Sequence, residues 1–428
     1  MFVFAAINKG FAMQYRYEPL CITLLFFMIS GIGVAGENWP EFRGPGGQGH
    51  AGEIEIPVEW GESINVTWKQ PMPGKGWSSP ILFEGQLFLT SAVIVDANDP
   101  TRQSMRVVCV VADTGTILWN REVFQKNVMG AHSKNSQASP TPITDGQRLY
   151  VHFGPYGTAA LDFQGSIVWV NENNRFDPVH GNGGSPILSA GNLVFNCDGG
   201  DHAYVVALDR ETGQTVWKTD RPAAESHTFS FSTPLEIEIN GKKQIVSSGS
   251  HGVGSYDSVS GREVWRVRYP NRWSIVPRPV QAHGLVYVCT GFMGPASLLA
   301  IRPDGTGDVT DTHIAWQTDE NVSKIPSPLV VGDNIYLVSD RGVATSRNAY
   351  TGELQWRQRL GGDFSASPLF ANGKIYFQNE EGECIVIQAG FEYQELRRNQ
   401  INETVQASFA VGDGAIYIRA SEHLYRID

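Results

Sequence analysis

The sequence predicts an all-β fold, an eight-bladed β-propeller of four-stranded antiparallel blades, from three observations. An Asp-containing turn that ends in glycine and leads into a strand with a tryptophan recurs along the chain. Successive tryptophans of this unit lie 40 to 51 residues apart, and such a period made of short strands is typical of a propeller. A small residue followed by proline recurs in the same phase, between the tryptophans.

The turn before each tryptophan has the chemistry of a β-hairpin. Asp209 can accept backbone N–H bonds two or three residues on, and Gly213 can take the positive φ that a short bulged hairpin requires. Trp217 then brings a large apolar ring that needs burial. We interpret the repeat tryptophans as structural residues buried between blades: Trp68, Trp119, Trp169, Trp217, Trp265, Trp316 and Trp356.

The proline steps indicate the innermost strand of each blade. Proline cannot donate to a strand ladder, so it is confined to strand starts and free edges, and the innermost strand has a free edge facing the central channel. The steps are Ser79-Pro80, Ser139-Pro140, Ser185-Pro186, Thr233-Pro234, Arg278-Pro279, Ser327-Pro328 and Ser367-Pro368.

The blade count follows from the strands at the two ends of the propeller, residues 64–428. Seven blades are predicted at about 77–124, 137–172, 183–220, 230–270, 275–318, 325–360 and 364–397. Blade 7 lacks a tryptophan, and Phe391 or Tyr393 is predicted in its place. The last segment supplies only three strands, while the strand at Trp68 has no partner before it. Pairing Trp68's strand with residues 423–427 completes blade 8 and removes an exposed edge.

The N-terminal residues are predicted to lie outside the propeller. Residues 1–36 have basic residues, an apolar run and small residues in the order of a cleaved secretory signal, with Met1 or Met13 as the start. An uncleaved membrane anchor is the alternative. Residues 37–63 are predicted to form an extension packed on the propeller. The mature protein is then secreted or periplasmic and has no transmembrane span.

Composition limits the classes of partner. The chain of 428 residues is 41% hydrophobic, which is enough for a sizeable core. Its net charge of −11 argues against nucleic acid or an anionic membrane as the main partner. Four cysteines beyond the signal lie in four different blades, which favours buried free thiols over disulfides or a metal site. We expect a monomer.

The repeat resembles a known family. The Asp-x-x-Thr-Gly-x-x-x-Trp pattern of 209–217, shortened to Asp-Thr-Gly-x-x-x-Trp in 113–119, resembles the repeat of quinoprotein dehydrogenases that bind pyrroloquinoline quinone (PQQ), over about residues 60–428. The stretches 39–45 and 73–80 are similar to secreted PQQ-repeat-like proteins of uncharacterised role. Size and blade count also resemble the lipoprotein propeller that helps to assemble outer-membrane barrels.

The resemblance implies PQQ as a cofactor, but the motifs that hold it are not matched. The PQQ-dependent alcohol dehydrogenases usually carry two adjacent cysteines that form a ring disulfide over the cofactor, and this chain has no such pair. Their calcium-binding Glu and Asn and their catalytic Asp match no positions here. The cofactor therefore stays unknown, no metal site is assigned, and no catalytic residue is predicted.

A candidate ligand site arises where the propeller loops converge. The loops between blades and those between second and third strands meet on one face, around the channel mouth. They bring together His132, His180, His202, His227, His251, Asp198, Asp201, Arg272 and Trp273. We predict a polar pocket there for a polar ligand, or for a metal held by neutral imidazoles and carboxylates. The alternative is that these side chains merely solvate a wet channel mouth.

Two functions remain open from the sequence. One is a secreted or periplasmic binding or scaffold module that presents its loop faces to a protein, peptide or glycan. The other is a degenerate quinoprotein-type oxidoreductase that binds PQQ or another polar ligand at the channel mouth.

Overall fold

Eight antiparallel blades of four strands each form a ring, and one blade is extended by a short fifth strand. Two short 3-10 turns are the only helical elements among the described residues. The computed structural model describes residues 1–3, 38–222 and 226–428. The predicted all-β eight-bladed propeller is confirmed. The predicted signal peptide and the choice between Met1 and Met13 concern residues 1–36, nearly all of which lie outside the described part.

The strands follow the chain blade by blade, with the first strand of each blade innermost. β1 is Val66–Pro71. Blade 1 consists of β2 (Ile81–Phe83), β3 (Gln86–Asp96), β4 (Asp99–Val111) and β5 (Ile117–Asn127). Blade 2 consists of β6 (Ile143–Thr144), β7 (Leu149–His152), β8 (Thr158–Leu161) and β9 (Ile167–Asn171). Blade 3 consists of β10 (Ile187–Ser189), β11 (Asn192–Asp198), β12 (Ala203–Asp209) and β13 (Thr215–Asp220). Blade 4 consists of β14 (Leu235–Ile239), β15 (Lys242–Gly249), β16 (Gly252–Asp257) and β17 (Glu263–Arg268).

The second half repeats this plan with one addition. Blade 5 consists of β18 (Val280–Ala282), β19 (Leu285–Cys289), β20 (Leu298–Ile301) and β22 (Ile314–Thr318). The added strand is β21 (Gly307–Asp308), which joins the outer edge of β17 in parallel. Blade 6 consists of β23 (Leu329–Val331), β24 (Asn334–Val338), β25 (Val343–Asn348) and β26 (Leu354–Arg359). Blade 7 consists of β27 (Leu369–Ala371), β28 (Lys374–Gln378), β29 (Glu383–Gln388) and β30 (Gln394–Gln400). Blade 8 contains β31 (Ala410–Gly412), β32 (Ala415–Arg419) and β33 (His423–Ile427). The 3-10 turns are η1 (Pro45–Gly47) and η2 (Gly154–Tyr156).

The ring is closed by the N-terminal strand, as the strand count predicts. β1 pairs antiparallel with β33, with Trp68 opposite Arg426 and Pro71 opposite His423. Blade 8 therefore has the order β1-β33-β32-β31, and both ends of the propeller share one sheet. Opening the ring requires loss of this whole strand pairing.

Six of the seven repeat tryptophans bind the hairpin turn of the next blade through the indole N–H, whereas the buried indole N–H of Trp265 has no partner among the described residues. The indole N–H of Trp169 donates to the carbonyl of Arg210 at 2.9 Å, and its ring lies over Gly213. A Cβ at Gly213 would come within 2.5 Å of the Trp169 ring, so the turn needs glycine for space as well as for its φ of 71°. The same indole-to-carbonyl bond joins Trp68 to Ala112, Trp119 to Phe163, Trp217 to Ser258, Trp316 to Ala349 and Trp356 to Gly390.

This contact predicts an effect that backbone strain alone does not give. Gly213→Ala is expected to destabilise the protein more than Gly241→Ala, although both glycines have a φ near 70°. At Gly241 an added Cβ meets nothing within 4 Å, so the cost is backbone strain of about 1 kcal/mol. At Gly213 the displaced Trp169 ring adds an overpacking cost of about 1–3 kcal/mol. Denaturant unfolding of the two variants measures the difference, and equal losses would contradict the space-filling role of Gly213.

The missing tryptophan of blade 7 is replaced from outside the repeat. The prediction of Phe391 or Tyr393 is wrong, because Phe391 is 66% exposed and Tyr393 packs edge-on against Trp356 of blade 6. Instead Trp60, which is buried, stacks on Tyr376 of blade 7 at 6.3 Å between ring centroids. Trp356 and Tyr336 make the corresponding pair in blade 6, at 5.9 Å. The segment before β1 thus supplies an aromatic ring that blade 7 lacks.

The four cysteines of the propeller are free and buried, as predicted: Cys109, Cys197, Cys289 and Cys384. Burial raises the pKa of the Cys109 and Cys289 thiols to about 12. These thiols therefore stay protonated at neutral pH and serve as small apolar side chains.

Candidate ligand cavity

A ring of hydroxyl side chains joins the inner strands around the channel. Each hydroxyl stands just before a blade's innermost strand and accepts the backbone N–H of the equivalent residue in a neighbouring blade, at 2.9 to 3.1 Å. The seven hydroxyls belong to Ser79, Thr141, Ser185, Thr233, Ser327, Ser367 and Ser408. In blade 5 Arg278 takes the equivalent place and leaves a gap in the ring.

The hydrogen bonds of this ring show that one proline step was assigned wrongly from the sequence. Ser139-Pro140 is wrong as the start of blade 2, because Thr141 Oγ1 accepts the N–H of Ser79 and Pro142 directly precedes β6. Two proline steps follow one another here, and only the hydrogen bond from Ser79 of blade 1 shows which of them belongs to the ring.

The N-terminal extension lies at the far end of the channel from the loops that carry the histidines. It bonds to the ends of inner strands: Thr144, the last residue of β6, donates to the carbonyl of Pro40 at 3.0 Å, and Asn372, directly after β27, donates to the carbonyl of Gly52 at 2.8 Å. The histidine loops precede the starts of the inner strands. Because all inner strands run in the same direction, the extension and the histidines occupy opposite ends.

Two buried arginines fix the extension. Arg278 donates to the carbonyl of Phe42 at 2.8 Å and to the Glu41 carboxylate at 3.1 Å. Arg43, which is 2% exposed, donates to the carbonyl of Pro328 at 2.8 Å. Gly47 passes so close to Arg278 that a Cβ there would overlap the guanidinium. The side chain of Phe42 reaches the lumen.

A cavity of about 620 Å³ extends between these two ends. All seven ring hydroxyls line it, together with Phe42 from the extension. The aromatic and imidazole rings in its wall belong to Trp77, His132, His180, Phe229, Phe231, Trp273 and Phe292. Its ionisable groups other than histidine are Lys134, Asp340, Arg341 and Asp363.

Two of the predicted histidines form part of the cavity wall. The rings of His132 and His180 lie 5.7 Å apart, and the backbone N–H of His132 donates to the carbonyl of His180 at 3.1 Å. His180 also meets the edge of Phe229 at 5.3 Å. Burial, and then the like charge of His132, lower the pKa of His180 below its usual 6.5.

Two further histidines stand behind the wall, against Trp273. His227 stacks on Trp273 at 4.2 Å with an interplanar angle of 17°, and His251 lies 6.3 Å away. His227, His251 and Ser274 all have positive φ, at 59°, 67° and 57°. Backbone strain in residues other than glycine is uncommon and tends to gather at binding and catalytic sites.

Carboxylates of blades 6 and 7 face the remaining part of the mouth. Asp340 accepts the backbone N–H of Lys324 at 2.9 Å and that of Ile325 at 3.0 Å, and burial raises its pKa. Lys134, from the loop after blade 1, reaches Glu380 of blade 7 at 2.8 Å. The mouth thus has an aromatic and imidazole side and a carboxylate side.

The other predicted site residues are not among the described residues that line the cavity. Asp198 is buried in a bidentate ion pair with Arg221, at 2.6 and 3.0 Å. Asp201 accepts the backbone N–H of His202 at 2.8 Å, and the His202 side chain is 71% exposed. Arg272 donates to the carbonyl of Met293. The Asp198–Arg221 ion pair therefore links the end of β11 to the residue after β13. Asp201 and Arg272 each make hydrogen bonds to backbone groups.

The charge coupling of the two wall histidines gives a measurable prediction. In His132→Asn, the pKa of His180 is expected to rise towards 6.5, because the like charge is removed while burial remains. Since His180 is neutral above its pKa, its protonation would then begin at a higher pH. Imidazole NMR titration measures this shift. His202→Asn is the control and should leave the titration unchanged; an unchanged pKa in His132→Asn would contradict the coupling.

The described residues do not supply the donor set that the quinoprotein resemblance implies. Among them no group of three or more His, Cys, Asp or Glu could hold a metal ion. The cysteines within residues 38–428 are single thiols in separate blades, so none can form a ring disulfide with a neighbour. No catalytic step through PQQ is derived for this chain.

The family model described as "Outer membrane protein assembly factor BamB" matches residues 62–203 and 201–428. No match to the chain was found among curated protein sequences. No helix within residues 1–3, 38–222 or 226–428 has the length and apolar character to cross a membrane.

Solved structures with the same fold include natural and designed propellers. BamB from Moraxella catarrhalis is 14% identical, with a TM-score of 0.57, over 85% of this chain and 97% of that one. A europium-containing methanol dehydrogenase is 10% identical, with a TM-score of 0.63, over 90% of each chain. The computationally designed Ika8 protein is 11% identical, with a TM-score of 0.59, over 85% of this chain and 100% of that one. At these identities the likeness concerns the fold alone.

Proposed function

We propose, on the premise that this chain belongs to the family described as outer membrane protein assembly factor BamB, that it is a binding module whose ligand enters the central cavity. The observation that carries the proposal is a cavity of about 620 Å³ that the extension borders at one end and that histidine loops border at the other. Small-molecule pockets are typically concave, mostly apolar and about 300–1,000 Å³ in volume, with a few convergent polar groups.

The wall chemistry supports binding more directly than catalysis. Aromatic rings provide apolar contact area, while Asp340, Lys134 and the ring hydroxyls provide directional hydrogen bonds. A small molecule, or the end of a peptide or glycan chain, suits this shape better than a folded partner does. The quinoprotein-type oxidoreductase remains the alternative that the test below includes.

The cellular setting belongs to the same proposal. The signal-like residues 1–36 favour a secreted or periplasmic protein. Residues 37–63 would then act as a structural extension, since Trp60 packs on blade 7 and Phe42 reaches the lumen.

A thermal-shift panel tests the proposal. The wild-type protein is titrated with PQQ plus calcium, with short peptides, and with mono- and disaccharides. Asp363→Trp is designed to obstruct the mouth, and Asp311→Trp, at an exposed site outside the cavity, is its control. We expect at least one class to stabilise the wild type and Asp311→Trp but not Asp363→Trp.

Stabilisation of both variants alike would place the binding elsewhere, and no stabilisation by any class would overturn the proposal. If only PQQ with calcium stabilises the protein, dye-linked alcohol oxidation decides between a binding module and an oxidoreductase.

A further inference from the structure

We infer that the ligand of this cavity is a neutral carbohydrate of mono- to disaccharide size, free or at the end of a glycan chain. The inference rests on the proposed function and names the ligand class of the same site. It is carried by the hydrogen-bonding state of the hydroxyl ring, by two buried groups in the wall, and by the charges of the wall.

The ring hydroxyls have unused donors. Each of the seven accepts one backbone N–H, and among the described residues none donates its own proton to a protein acceptor. A hydroxyl carries one donor and two acceptor lone pairs, so these groups retain their O–H for the lumen. A ring of O–H donors selects a ligand rich in oxygen acceptors.

Two further wall groups lack partners among the described residues. The indole N–H of Trp77 and the amide oxygen of Gln406 are both buried, and both side chains line the cavity. A buried polar group without a partner costs about 1–3 kcal/mol, and a ligand towards which either side chain turns would recover part of that cost. The pair requires an acceptor and a donor from the same ligand, and a sugar hydroxyl provides both.

The charges of the wall favour a neutral ligand. Among the lining residues Asp340 and Asp363 are accompanied by Lys134 and Arg341, and Lys134 is also paired with Glu380, so the wall carries charges of both signs. An anion would meet the two carboxylates, whereas a cation would meet Lys134, Arg341 and the imidazoles of His132 and His180 when these are protonated. Carboxylates are strong acceptors for neutral hydroxyl donors.

The aromatic side of the cavity completes the match. Phe229, Phe231 and Trp273 offer ring surface next to polar groups, which suits a molecule with C–H faces and hydroxyl edges. Ring hydroxyls, carboxylates and aromatic faces are thus arranged around one lumen of about 620 Å³.

Isothermal titration with named sugars tests the inference. Glucose, maltose and cellobiose are the neutral probes, and glucuronate and glucosamine are the charged counterparts of glucose. We expect at least one neutral sugar to bind, with the charged counterparts about tenfold weaker because an ion of either sign meets like charges in the wall.

Three conservative variants assign that binding to the cavity. Trp77→Phe keeps the ring but removes the N–H, Gln406→Met removes the amide, and Asp340→Asn keeps an oxygen that can accept from Lys324 and Ile325. Each is expected to weaken the neutral sugar about tenfold, as the loss of one buried hydrogen bond predicts. Asp311→Asn is the control and should bind like the wild type. Circular dichroism verifies that all variants are folded.

The outcomes separate this inference from the proposed function. If peptides or PQQ with calcium bind in a manner that Asp363→Trp abolishes, while no sugar binds, the ligand class is wrong and the binding function stands. If glucuronate binds as tightly as glucose, or if all three cavity variants bind the sugar like the wild type, the inference is overturned. If nothing in either experiment binds, both proposals fail.

Discussion

Removing residues 38–71 is expected to abolish cooperative folding. The deletion takes away β1, so β33 loses its antiparallel partner and blade 8 keeps only three strands. It also removes Trp68, whose indole bonds to Ala112 of blade 1, and Trp60, which packs on Tyr376 of blade 7. The deletion therefore removes two contacts together: the one between blades 8 and 1, and the packing of Trp60 on blade 7. An open ring exposes a sheet edge and its apolar faces.

The measurement is urea unfolding followed by circular dichroism and by tryptophan fluorescence. The reference is a chain that lacks only residues 1–36. A chain that lacks residues 38–63 but keeps β1 is the matched control, because it loses Trp60 and the extension while the ring stays closed. We expect this control to unfold cooperatively at a lower urea concentration. A cooperative transition at the reference midpoint in the longer deletion would show that β1 does not close the ring.

The repeat could be predicted from the sequence because it consists of local patterns. Asp209, Gly213 and Trp217 lie within nine residues, and turn chemistry and strand period act over such short distances. Ring closure was predictable from one spare strand at the start and one missing strand at the end. Strand counting needs no knowledge of side-chain packing.

The parts that could not be predicted depend on contacts between distant segments. Trp60 has no repeat around it, so only the packing against Tyr376 shows that it serves blade 7. The sequence suggests a polar loop residue at Asp198, but Arg221, directly after β13, holds it in a buried ion pair. Both cases are decided by a partner that no local spacing identifies.

The site was predictable in position but not in composition. Placing His132 and His180 in equivalent loops identified the face, because repeat phase determines where a loop projects. Five of the seven ring hydroxyls were visible as Ser-Pro or Thr-Pro steps, but Thr141 and Ser408 were not, because membership of the ring depends on the N–H of a neighbouring blade. The aromatic wall, with Phe229 and Phe231, carries no motif that separates a cavity residue from a core residue.

Trp217→Ala is expected to lower the free energy of unfolding by about 3–5 kcal/mol, the typical cost of removing a buried aromatic ring. Trp217 is 7% exposed, and its indole N–H donates to the carbonyl of Ser258 in blade 4 at 3.2 Å. Its ring also covers Gly261 in the turn of that blade. The substitution thus leaves a cavity between blades 3 and 4 and an unpaired carbonyl at the same seam.

Equilibrium denaturation of three variants tests whether the loss of unfolding free energy comes from this contact between blades 3 and 4 or from any substitution near the surface. Val216→Ala changes the neighbouring residue, which is 49% exposed, and should cost little. Trp217→Phe keeps part of the ring over Gly261 but cannot bond to Ser258, so its cost should fall between those of the other two. Because the contact lies in the seam between two blades and outside the cavity, sugar binding by the folded fraction of Trp217→Ala should be unchanged. A variant that kept its stability and lost binding would show that Trp217 is a ligand contact and not a structural residue.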